Sequence, residues 1–124
     1  MNNSGLEAMQ KVEKWRVEEL ALVLNELVVL LRAGENSEWA NVFSHYHDES
    51  KNIVAKKEFD SESLKKLVTN IMNCFEKNSS FTNIVLKHEN PKEEQKLNQA
   101  LYLTRARLLT VIRDMEERII EHIH

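Results

Sequence analysis

Two glycines and one proline are all that this 124-residue chain has for tight turns, against average usage of roughly 7% and 5%. β-sandwiches, barrels, dinucleotide-binding units and phosphate-binding loops depend on glycine where the backbone takes positive φ or closely approaches a ligand. Gly5 and Gly34 are too few to build any of them. With 42% apolar and 30% charged residues, the chain has enough apolar side chains for one core, and its length suits one domain, 1–124. The expected fold is all-α, a compact helical bundle with long N- and C-terminal helices.

Helical periodicity divides the chain. Ser4 and Glu7 have capping-box spacing, and Leu6, Met9, Val12, Leu20, Leu24, Leu27 and Leu31 follow at near-helical intervals, predicting one helix over about 6–33. Its half from Leu20 to Leu31 is apolar nearly all round and should be wrapped by other elements. Gly34 stands where a left-handed C-terminal residue is wanted. Ser37 is the expected cap of a second helix to about Asp48, with Lys51 to Glu58 compatible with either an extension or a separate piece. Asp60 or Ser61 starts the most regular pattern, Leu64, Leu67, Val68, Ile71, Met72 and Phe75. Phe81 to Leu86 reads as a short extended segment. Asn90, Pro91 and Glu93 open a last helix of roughly 30 residues, striped by Leu97, Leu101, Leu108, Val111, Met115 and Ile119.

Chemistry-bearing patterns are sparse. Cys74 is the only cysteine, which excludes an intrachain disulfide and fits a reducing compartment. No leader-like or membrane-spanning run occurs, and the expected location is the cytoplasm. His45, Tyr46, His47, Asp48 and Glu49 include metal-ligating types, but only His45 and Glu49 share a helical face, and no second ligand pair at helical spacing follows. A metal protein or enzyme using the His45/His47 region is therefore the lesser reading, and no metal or cofactor is expected. His122 and His124 read as frayed terminal residues. Cys74 lies beside the Leu67/Ile71 stripe and reads as core.

Charge is uneven along the chain. Residues 1–60 carry seven Lys/Arg against eleven Asp/Glu, a net of −4, and residues 61–124 carry ten against nine, a net of +1. Arg105, Arg107, Arg113 and Arg118 fall on the last helix among Asp114, Glu116, Glu117 and Glu121, which reads as a salt-bridged face with Arg113 and Glu117 in reach of each other rather than as a nucleic-acid surface. Neither nucleic acid nor a membrane is an expected partner. Trp15 sits among Lys11, Lys14, Arg16, Glu18 and Glu19. Packing onto the last helix is the expectation for its ring, and exposure would make it a partner anchor.

Three blocks in order, Leu30-Leu31-Arg32-Ala33-Gly34 leading to Glu38-Trp39-Ala40, then Ser79 through Leu86, then a Leu/Tyr/Arg-rich closing helix, resemble a family of small bacterial helical proteins. In that family's pattern the middle block reads Gly-Ser-Phe-Asn-Asp, so Ser79, Thr82 and Asn83 depart from it at the turn positions. The resemblance covers about residues 20–120 and implies one helical domain with no catalytic residues to carry over. By analogy it implies an immunity or antitoxin-like protein that neutralises a basic toxin by direct binding. Glu35, Glu38, Tyr46, Asp48 and Glu49 are the candidate partner-binding residues, because this acidic cluster flanking aromatic side chains complements a basic surface. A structural role, with amphipathic helices pairing in a homodimer, is the alternative.

Overall fold

The computed structural model describes residues 12–123. Four α-helices follow in order: α1 (Lys14–Ala33), α2 (Ser37–Ala55), α3 (Ser61–Asn73) and α4 (Pro91–Ile123), with a short 3-10 turn over Ser80–Asn83. Helix α1 packs against α2 and α4, and α3 against those same two, so the four helices form a closed ring around one core. The expected all-α bundle is thus what forms.

Each helix contributes a stripe to that core. Val17, Leu20, Val23, Leu24, Leu27, Val28 and Leu31 of α1 are buried, and they meet Ala40, Phe43 and Ile53 of α2, Leu64, Leu67, Val68 and Ile71 of α3, and Leu101, Leu108, Ile112 and Met115 of α4. Ion pairs from Arg16 to Asp114 at 2.8 Å and from Arg107 to Glu26 at 2.9 Å tie α1 to α4. Their residue order shows that these two helices run antiparallel.

The first helix is shorter than its periodicity predicts. Helix α1 starts at Lys14, because Glu13 is extended (φ −59°, ψ 138°) and Val12 turns into the core at 4% exposure. The expected stretch 6–11 and its Ser4, Gly5, Leu6, Glu7 and Met9 lie outside the described residues, as do the side chains of Glu121, His122 and His124. The expected wrapping of Leu20 to Leu31 is incomplete, since Leu22 and Val29 stay more than half exposed. Asn36, one residue before the expected Ser37, caps α2 by accepting from the Trp39 N–H at 3.0 Å. Helix α2 then continues through Ser50 and Ile53 to Ala55. Asp60 caps α3 as expected, accepting from the backbone and hydroxyl of Ser63 and pairing with Lys56. These contacts hold its carboxyl well below the ordinary range.

The segment expected to be extended from Phe81 begins instead as a 3-10 turn, with Ser79 accepting from the Phe81 N–H at 3.2 Å. Phe81 drops into a cluster with Trp39, Phe43 and Phe75. Only after Asn83 is the chain extended, and Asn98 of α4 supplies what a strand partner would. Its amide accepts from the Leu86 N–H at 2.8 Å and donates to the Leu86 carbonyl at 3.0 Å.

Leu86 is fully buried, and it explains Gly34. The left-handed position at the end of α1 belongs to Glu35 (φ 62°), whereas Gly34 has an ordinary φ of −94°. Glycine is required there for space, since a Cβ would lie 2.5 Å from the Leu86 Cβ, while the Gly34 carbonyl accepts from the Lys87 N–H at 3.0 Å. Gly34→Ala is expected to destabilise the fold by about 1–3 kcal/mol through overpacking, measured by denaturant unfolding. The loss should be smaller in a Leu86→Gly background, which removes the opposing Cβ. Additive losses would contradict the contact.

Candidate functional site

The five acidic and aromatic positions expected to form one surface do not gather into one. Glu35 lies in the α1–α2 turn, Glu38 in the first turn of α2, and Asp48 and Glu49 ten and eleven residues further along that helix, about 15 Å at 1.5 Å per residue. Tyr46 packs edge-on against Phe43 at 5.6 Å and is half-buried. Burial and the nearby Cys74 push its hydroxyl up to about 12. Cys74 is buried, as expected of a core thiol, and burial raises its pKa as well. Glu49 contacts His45 at 2.6 Å, whereas His47 lines a separate groove beside Leu22 and Lys51. Among the described residues, no group of three or more His, Cys, Asp and Glu side chains converges as a metal site would need.

Arg105, Arg107 and Arg118 of α4 are engaged in holding the fold. Arg107 pairs with Glu26, Arg118 with Asp114 at 3.2 Å, and Arg105 donates to the Phe81 carbonyl at 3.1 Å. Arg113 and Glu117 do not form the expected pair. Burial lowers the Arg105 pKa, and its guanidinium lies 5.7 Å from the Phe81 ring centre.

The arrangement with most potential for recognition is on the outer side of α1. Trp15 does not pack onto α4: it is 51% exposed, with Leu22 at 54% and Val29 at 58%. These three positions recur every seven residues, a spacing that returns to nearly the same side of a helix. Trp15 is also held in place. Its indole N–H donates to Glu13 at 2.6 Å, and the Arg16 guanidinium lies 4.2 Å from its ring centre while reaching Asp114. An exposed tryptophan immobilised in this way loses little conformational freedom on being covered.

Two features flank the α1 ridge. On the α2 side is a groove of about 720 Å³ whose floor includes Ala21, Leu22, Val54 and Ala55, with Glu18 and Lys51 at its margin. On the α4 side, the Glu26–Arg107 ion pair bridges the seam, with Val29 one turn from Glu26 and the 67%-exposed Leu103 one turn from Arg107. Tyr102, beside Leu103, is 68% exposed. The heptad recurrence of Trp15, Leu22 and Val29 is present in the sequence, with Trp15 in the charged first half of the helix and Leu22 and Val29 lost among the apolar residues of Leu20 to Leu31.

Comparison with protein-family models, curated proteins and solved structures finds no match to this chain. The family resemblance rests on its three sequence blocks alone.

The Trp15 contact predicts a spectroscopic titration. Its hydrogen bond to Glu13, followed by the nearby arginines, lowers the carboxyl pKa. The interaction is therefore present above the ordinary carboxylate range and fades as pH falls through the lowered folded value. Trp15 emission in a Trp39→Phe background should change over that acid range, and Glu13→Gln should remove the step. An identical titration in both proteins would contradict the contact.

Proposed function

We propose that this chain is a non-enzymatic protein-binding module, an immunity or antitoxin-like inhibitor that neutralises a basic partner by direct contact in the cytoplasm. The observation that carries the reading is the ridge of Trp15, Leu22 and Val29, left exposed by a core that closes without it. Single exposed apolar residues are ordinary on protein surfaces. Three in heptad register, led by an immobilised tryptophan, have the character of interface anchors. The acidic balance of residues 1–60 supports a basic partner, because complementary charge speeds association and selects the partner.

The acidic positions Glu35, Glu38, Asp48 and Glu49 supply long-range attraction in this reading, spread along α2 instead of concentrated in one site. Tyr46 supports the helix that presents them. A homodimer would also use the exposed ridge, and solution mass separates the two readings: the inhibitor reading expects a monomer in isolation.

The test is retention of a partner from cells of the source organism, followed by assay of that partner's activity. A basic protein should be bound one-to-one and inhibited, and reversing the charges at Glu35, Glu38, Asp48 and Glu49 should weaken retention about tenfold and flatten its salt dependence. A partner whose activity is untouched by the chain, or whose binding ignores both charge and salt, would overturn the reading.

A further inference from the structure

We draw no further inference here: the strongest candidate, the exposed apolar face of α1 at Trp15, Leu22 and Val29 with the groove beside it toward α2, is bordered by charges of both signs, and nothing in the structure shows what covers it.

Discussion

Burial of the inner face of α1 is the constraint on which the rest of the structure depends. Leu20, Val23, Leu24, Leu27 and Leu31 are fully enclosed, and no single neighbour could cover them, so α2 closes one side and α4 the other. Helix α3 completes the ring opposite. At about 1.5–3 kcal/mol for each large aliphatic side chain taken out of water, this stripe is the main source of cohesion. The end of α1 then fixes the upper layer of the molecule. Gly34 accepts Leu86 against its backbone, which brings the crossover segment Ile84 to Lys87 over the α1–α2 turn and seats Phe81 on Trp39 and Phe43.

Much of this was legible in the sequence because it depended on local signals. Leu64, Leu67, Val68 and Ile71 announced α3, and Asn90, Pro91 and Glu93 announced the start of α4. What could not be read depended on contacts distant in sequence. Phe81 to Leu86 has β-branched residues suited to a strand, yet the Leu86 amide and carbonyl are satisfied by the Asn98 side chain twelve residues beyond. Gly34 looked like a left-handed cap, and the reason for it is a side chain 52 positions away. The break at Val12–Glu13 was masked because Val12 keeps the apolar periodicity even where the backbone leaves the helix.

The candidate site divides in the same way. Sequence proximity suggested that Glu35, Glu38, Tyr46, Asp48 and Glu49 act together, but a helix spreads neighbours in sequence around its axis and along its length. Tyr46 turns toward Phe43 and the acids are distributed. Trp15 is an anchor candidate only if exposed, and its surroundings depend on a distant partner: the Arg16 guanidinium lies 4.2 Å from the ring centre while reaching Asp114, 98 residues away. The Glu13–Trp15–Arg16–Asp114 set both fastens the first turn of α1 to α4 and fixes the ring outward.

The proposed binding role requires that the ridge led by Trp15 be covered by another protein when the chain is at work. The most direct measurement is covalent footprinting of the two tryptophans, comparing the purified chain with the same chain inside cells of its source. Trp15 should be labelled in the purified protein and protected in the cell, with Trp39 labelled alike in both. Equal labelling of Trp15 in the two settings would contradict it.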